Sequence, residues 1–391
     1  MIDSPKIVVV GGGFAGVQAV KTLLRAVPGA QMTMIDRNEY ATMLPALPDV
    51  LSGRVRRDAI TVRFDDIFDA RVRIVADVVS RIDAEERLVH TTSEKFAYDF
   101  LVLSNGSAPA FFGFTPASGP LHTVDSFPGA VSLRETLERR LTAGQDCTLV
   151  VVGGGYTGVE VAACTREGFA AAGRRLNILV VEKADSILAP LSGRVRKRVE
   201  KYLERSDIAV VTGVSLESMI DDTVVFSDGT RIENAVVCWS AGMQAATPET
   251  SEDLPAARDR RLLTNAYLQL HDYPEVFVAG DAAQLLDGDT PVRRAVNFAF
   301  YSGRRAGRNI AAIVRDRKPK AFVPVDLGWV IPLGGTSSGT VFGFIPVAGK
   351  LGLRLHYLMS GFRHFSAGAA FEFYRTAFNL KRGVDVPSVR G

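Results

Sequence analysis

"IVVVGGGFAGVQA" runs from Ile7 to Ala19, and "VVVGGGYTGVE" runs from Val150 to Glu160. Each joins a β-branched apolar run to three glycines and then to a helical pattern. The first copy is predicted as a strand over 6–10, a glycine turn over 11–16, a helix from about 17 to 26, and a strand "QMTMID" closing on Asp36. The second is predicted as a strand over 147–152, a turn over 153–158, a helix to about 172, and "LNILVVE" closing on Glu182. A period-two strand that hands over to a period-3.6 helix and returns to a strand is a βαβ unit. Two such units at long spacing are an internal repeat with two nucleotide sites.

Gly11, Gly13 and Gly16 make one G-x-G-x-x-G, and Gly153, Gly155 and Gly158 make the other. The first glycine permits the tight turn, the second lets backbone approach a pyrophosphate, and the third allows close packing of helix on strand. The helix N-terminus then offers amide donors and a positive dipole to the phosphates. One such motif is a weak signal; two, each framed by strands and an acid at the right distance, are a strong one. Asp36 and Glu182 are the acids expected to hold a ribose 2′-hydroxyl. An acid repels a 2′-phosphate, so the second site should prefer NADH to NADPH, although the adjacent Lys183 is a cation that admits NADPH.

Between the copies, "VRIVADVVSRIDAEERLVHTT" and "YDFLVLSNGSAP" read as short strands, and a similar set follows the second copy. Both are expected as antiparallel insertions that return to a parallel sheet strand. "EVFVAGDAAQ" is a further buried strand ending in Gly280 and Asp281, followed by a helical pattern over about 294–314. The first domain is therefore expected in two pieces, 1–115 and 262–330, around a second domain over 116–261, with a C-terminal region over 331–391. The fold class is α/β: two Rossmann-like dinucleotide-binding domains with antiparallel insertions, plus a C-terminal α-helical membrane-surface segment.

Composition narrows the function. A chain of 391 residues with 47% hydrophobic content builds sizeable cores, and a net charge of +3 from 46 basic and 43 acidic residues gives no reason to expect a nucleic-acid partner. Cys147, Cys164 and Cys238 lie far apart, with no close pair for a redox dithiol or a zinc site, so no metal is expected. The N-terminal apolar run is short and ends in glycines, which argues against a signal peptide. No stretch reaches the roughly 20 apolar residues of a spanning helix.

Glu160 is the asymmetry between the copies, since Gln18 stands at its place in the first. A carboxylate on the first turn of the helix is able to position a nicotinamide or relay a proton, with burial raising its pKa and the dipole lowering it. The plainer reading is dipole complementation worth about 0.3–1 kcal/mol.

With two dinucleotide motifs in one chain, the sequence resembles the two-dinucleotide flavoprotein superfamily, and within it most closely the type II NADH dehydrogenases. The likeness covers most of the chain and includes "DRNEYATMLPALPDVLSG" over 36–53, "YDFLVLSNGSAPAFFG", "GGGYTGVEVA", "VCWSAG", "VFVAGDAA" and "LHYLMSGFR". It implies FAD at the first site and NADH, or NADPH, at the second, with hydride passing to the flavin and two electrons then passing to a lipid quinone without proton pumping. It places FAD against Gly11, Gly12, Gly13, Phe14, Ala15, Gly16, Asp36, Arg37, Gly280 and Asp281, the last at the ribityl chain. It places the nicotinamide nucleotide against Gly153, Gly155, Tyr156, Thr157, Gly158, Glu182 and Gly242, and links Glu160 to the nicotinamide and quinone pocket. Where the family carries an Ala-Gln pair on the helix facing flavin and quinone, this chain has Val296 and Asn297, followed by Ala299 and Gly303; Ala41 stands where many relatives have His. Asn297 keeps an amide on a shorter stem, so a quinone contact is expected at altered depth. A reductase of a soluble acceptor, resembling the apoptosis-inducing-factor and ferredoxin-reductase branches, and a slow-turnover nucleotide sensor are the alternatives. Sulfide:quinone oxidoreductases need a late cysteine that this chain lacks, and Cys164 reads as a small buried residue on an apolar helix face.

The C-terminal stripe Leu351, Leu355, Leu358, Phe362 and Phe365, followed by Phe371, Tyr374 and Phe378, resembles the family's membrane anchor. Arg354, Arg363, Arg375, Lys381, Arg382 and Arg390 outnumber Glu372 and Asp385. A peripheral place on the cytoplasmic side of a membrane is expected, and a homodimer is left open. "RVRKRVEKYLER" keeps Val195, Val199 and Leu203 at helical spacing and reads as an exposed basic helix with one packed face.

Overall fold

Lys6–Val10 forms β1 in the computed structural model, which describes residues 4–380. Along the chain follow α1 (Phe14–Ala26), β2 (Gln31–Asp36), α2 (Leu47–Ser52), β3 (Val72–Ala76), β4 (Phe100–Leu103) and β5 (Leu121–Thr123). Next come α3 (Phe127–Thr142), β6 (Thr148–Val152), α4 (Tyr156–Ala171), β7 (Asn177–Glu182), α5 (Gly193–Arg205), β8 (Ile208–Thr212) and β9 (Ala235–Trp239). Then come β10 (Val276–Val278), α6 (Val296–Val314), β11 (Gly328–Leu333), β12 (Thr336–Val341), β13 (Ile345–Ala348), α7 (Gly349–Phe362) and α8 (Ala367–Phe378).

These elements belong to two units. The first comprises residues 4–41, 62–108 and 244–326, and the second 42–61, 109–243 and 327–380. The division differs from the expected boundaries at 115, 261 and 330: residues 109–115 and 327–330 fall in the second unit and 244–261 in the first, and two larger segments also change place. Residues 42–61 join the second unit because α2 packs on α4, so closely that a Cβ at Gly168 would sit 2.4 Å from the Leu51 carbonyl oxygen. The C-terminal elements also belong to the second unit, where Leu353, Tyr357 and Phe373 are fully buried.

In the first unit the sheet order is β10–β4–β1–β2–β3, with every neighbouring pair parallel. In the second it is β5–β9–β6–β7–β8, again all parallel. The Val- and Ile-rich runs suit strands covered on both faces. In each sheet the chain moves one way from the opening strand and returns on its other side, so Val10 is flanked by Ile35 and Leu103, and Val152 by Val181 and Trp239. Ligands of open α/β sheets bind beyond the strand carboxyl ends at this switch point, where both glycine turns lie.

The insertions form as expected: antiparallel strands at Val79–Asp83, Leu88–Thr91 and Lys95–Ala97 in the first unit, and at Leu216–Ile220, Thr223–Phe226 and Arg231–Ile232 in the second. Val195, Val199 and Leu203 bury one face of α5. The first glycine-turn helix starts at Phe14, three residues before its expected start, because Gly16 itself is helical.

The C-terminal stripe is not a single face. Phe365 is buried, whereas Leu351, Phe362, Phe371 and Phe378 are exposed, as are Phe342, Phe344 and Ile345 at the tip of the β12–β13 hairpin. Its 14- and 12-residue helices turn buried and exposed apolar residues to opposite sides. No helix among the described residues is long and apolar enough to cross a membrane. Lys381, Arg382, Asp385 and Arg390 lie outside the described residues.

Candidate active site

Each turn crowds three of its glycines and leaves the middle one of the motif open. A Cβ at Gly16 would lie 1.9 Å from the Gly11 carbonyl oxygen, and one at Gly158 would lie 1.9 Å from that of Gly153. Any other residue there would push the helix off its strand. A Cβ at Gly13 or Gly155 would meet nothing within 4 Å. These middle glycines are the N-caps of α1 and α4, and no side chain caps either helix. The middle glycines therefore leave open space at the positive end of a helix dipole, which fits a dinucleotide pyrophosphate at both turns.

The two acids hold their turns in the same way. Asp36 Oδ2 accepts from the Gly12 amide and Glu182 Oε2 from the Gly154 amide, both at 2.7 Å. Their second oxygens accept from the amides of Asn38 and Ala184, each at 2.8 Å. Both carboxylates are thus fixed beside a glycine turn with lone pairs left for ribose hydroxyls. Arg37 and Lys183, which follow the acids, are exposed.

A second matched pair was not anticipated from the sequence. Ser104 Oγ donates to the carbonyls of Val10 and Gly11 at 2.8 and 3.0 Å, and Ser240 Oγ to those of Val152 and Gly153 at 3.0 and 3.2 Å. Each serine directly follows the return strand of its sheet and ties that strand to the turn. Alignment of "VLSNG" with "CWSAG" as a second part of the repeat would have revealed them.

In the first unit, Gly280 takes φ +68°, and its amide donates to Ser302 Oγ on α6 at 2.9 Å. Asp281 accepts from Ser107 Oγ at 3.1 Å; burial pushes its carboxyl above the usual range while the Arg294 cation pulls it back. Phe14 and Ala15 are buried, and α6 packs on α1 through Gly303, whose Cβ would lie 2.1 Å from the Ala15 carbonyl oxygen. Ala41 is buried. Asn297 is buried too, with its amide nitrogen donating to the Val325 carbonyl, so the donor expected for a quinone has a protein partner here.

In the second unit, the Tyr156 ring meets Trp329 of β11 edge-on at 5.2 Å, and Thr157 is exposed. Gly242 lies under the Phe112 ring, which a Cβ would approach to 2.6 Å. Glu160 is only partly shielded as a residue, yet burial of its carboxyl and the nearby Asp49 carboxylate push its pKa well up. Cys164, one turn on, does not sit on an apolar face as expected. It is buried as expected, but on the α4 face that carries Glu160 and Glu167, and burial raises its thiol, with the Asp49 carboxylate adding to the rise.

Sheets of this strand order, carrying turns that open at the middle glycine, define a protein that binds two dinucleotides. Residues 5–303 match the family described as pyridine nucleotide-disulphide oxidoreductase, and the chain belongs to that family. An NADH dehydrogenase-like protein of Mycobacterium tuberculosis is 31% identical over 366 residues, 86% of this chain and 87% of its own. A type II NADH:quinone oxidoreductase of Staphylococcus aureus is 24% identical over 374 residues, 89% of this chain and 92% of its own. The fold also matches the structure of NDH2 from Plasmodium falciparum in complex with NADH, with a TM-score of 0.85 at 13% identity over 97% of this chain and 99% of that one. The chain is a flavoprotein oxidoreductase of the NADH dehydrogenase type, with FAD and NADH as its cofactors. The disulphide chemistry in the family description finds no dithiol here, since Cys147, Cys164 and Cys238 are free and buried.

Proposed function

We propose that the protein is a non-pumping NADH:quinone oxidoreductase bound to the surface of a membrane, on its cytoplasmic side. FAD occupies the Gly11 turn and NADH the Gly153 turn. Bound there, the flavin supplies the redox chemistry, taking hydride from the nicotinamide and giving two electrons to a lipid quinone. The chain binds and orients. Amides at the start of α1 and α4 hold the pyrophosphates, Asp36 and Glu182 hold the riboses, and Asp281 holds the ribityl chain. Gly12, Phe14, Ala15, Arg37 and Gly280 line the flavin site, while Tyr156, Thr157 and Gly242 line the nicotinamide site. Glu160 holds and returns a proton, and Asn297 contacts the quinone after its amide leaves Val325.

The observation that carries this reading is the pair of turns whose middle glycines face open space above uncapped helix N-termini. The exposed phenylalanines of α7, α8 and the β12–β13 tip support the membrane surface and a lipid-soluble acceptor. The test mixes purified yellow protein anaerobically with NADH, follows flavin bleaching, and then adds a short-chain quinone. Rapid bleaching and rapid recovery are expected. Bleaching without recovery sinks the quinone assignment in favour of a soluble acceptor, and a lasting long-wavelength charge-transfer band with negligible turnover favours a nucleotide sensor.

A further inference from the structure

Behind Glu160 lies a buried polar cluster that none of the roles above uses. Glu160, Cys164 and Glu167 are spaced i, i+4 and i+7 on α4, so they share one face, and α2 packs on this helix. α2 contributes Asp49, which is 2% exposed. Asp49 Oδ1 accepts from the Tyr357 hydroxyl of α7 at 2.7 Å, and Arg54 donates to that hydroxyl oxygen at 3.2 Å and pairs with Glu167. Asp49 is thus buried with a hydroxyl donor on its carboxylate and a guanidinium one bond further, the latter shared with Glu167. Glu160, partly shielded on the same α4 face as Glu167, has no such donor among the described residues, and its pKa is pushed up by burial and by the Asp49 carboxylate.

The other charged groups do not change this balance. Arg134 of α3 spends its charge on Glu138 and the Val50 carbonyl. His356, beside Tyr357, has its Nε2 buried without a partner, and burial lowers its pKa to about 4, so the ring is neutral near pH 7. The Asp49 carboxylate raises the Glu160 pKa, so of these two neighbouring carboxyls the proton settles on the one whose anion is less well solvated. Asp49, with Tyr357 and Arg54, is the better-solvated anion.

We propose that Asp49, held by Tyr357, is a positioning residue for Glu160: it keeps the shared proton on Glu160 and drives its return after each turnover. The proposal rests on the quinone reading through its demand for a proton, because NADH, quinone and one proton give NAD⁺ and quinol. Glu160 releases that proton to the reduced acceptor as its O–H bond breaks. Two neighbouring carboxylates then remain, and their repulsion draws a proton from water to re-form the Glu160 O–H. No electron moves in this step.

The test is infrared titration of the flavin-loaded protein without NADH, which reads protonation apart from activity. The carboxylic-acid band lost in Glu160→Gln identifies Glu160. In Asp49→Asn, which removes the opposing charge, that band should vanish at a pH at least one unit lower than in the wild type, and the alkaline limb of quinone reduction should move down with it. Asp49→Glu should restore both. In Tyr357→Phe, part of the band intensity should pass to a second acid band that Asp49→Asn abolishes. An unchanged Glu160 titration in Asp49→Asn overturns the proposal; if that variant does not fold, an unaltered band in Tyr357→Phe overturns it. Absence of quinone turnover in the wild type would instead refute the quinone reading while the infrared result still tests the pair.

Discussion

The Tyr357 hydroxyl donates to Asp49 Oδ1 at 2.7 Å, although the two residues stand 308 positions apart. Burial holds the Asp49 carboxyl up at about 6, against the downward pull of Arg54 and Tyr357. A carboxyl whose folded pKa lies above its unfolded value near 4 favours the folded state at low pH and loses that advantage as pH rises through the folded pKa. Two pKa units correspond to about 3 kcal/mol. The wild type should therefore lose up to about 3 kcal/mol of stability between pH 4 and pH 7 from this group, with Glu160 acting in the same direction. Asp49→Asn should flatten that slope. Urea unfolding midpoints across this pH range check it, and equal slopes would mean that Asp49 titrates normally.

The two kinds of glycine separate folding from nucleotide binding. Gly155 has φ −76° and open space around its missing Cβ, so Gly155→Ala should keep the melting temperature of the nucleotide-free protein while weakening NADH binding at least tenfold. Gly158→Ala forces a carbon to 1.9 Å from the Gly153 carbonyl, and the backbone shift should cost about 1–3 kcal/mol or more. Thermal unfolding and NADH titration of both variants give the comparison. A Gly155→Ala protein that binds NADH normally would remove the pyrophosphate from this turn.

The βαβ repeats were legible because everything that specifies them is local. Strand, glycine turn, helix and acid follow one another within about thirty residues, and each has its own period or residue type. Their ends were less legible: Gly16 reads as part of a turn but is helical, since glycine is chosen there for the closeness of Gly11. The Asp49 cluster was not legible at all. Asp49, Glu160 and Tyr357 come from three distant segments with no shared period, and Cys164 looks apolar on a helix wheel until α2 is packed against it. Ser104 and Ser240 lie between these cases, visible only when the return strands are compared with each other.

Glu182 should set the preference for NADH. Glu182→Gln removes the charge that repels a 2′-phosphate yet leaves an oxygen for the Gly154 amide. The kcat/KM ratio of NADPH to NADH should rise about tenfold, the equivalent of ~1.4 kcal/mol. Stability should fall by about 1–3 kcal/mol, because the acceptor for Gly154 becomes neutral and the Ala184 amide meets an NH2 in place of an oxygen. Glu182→Ala should fall further, because the amides of Gly154 and Ala184 both lose their acceptor. Steady-state assays with both nucleotides decide it, and an unchanged ratio would shift the discrimination to Lys183.

The membrane assignment needs a test that spares the fold. Deleting everything after Lys350 would remove Leu353, Tyr357 and Phe373 from the interior and strip Asp49 of its hydroxyl donor, so loss of binding would say little. The exposed set offers a cleaner experiment. Phe344, Phe362, Phe371 and Phe378 are 77%, 62%, 67% and 68% exposed, so replacing them with Ser leaves the core untouched. Each phenylalanine buried in lipid contributes about 1.5–3 kcal/mol, and each nearby basic residue adds about 1 kcal/mol at an anionic surface. Two or three inserted rings would therefore hold the protein on vesicles, and charge alone would not. The four-Ser variant should keep its flavin and melting temperature, yet sediment with vesicles of anionic and zwitterionic phospholipid at least a hundredfold more weakly than the wild type. What little binding remains should vanish in high salt, since screening removes the charge contribution and leaves none from the rings. Sedimentation equal to the wild type would show that these side chains meet something other than a bilayer.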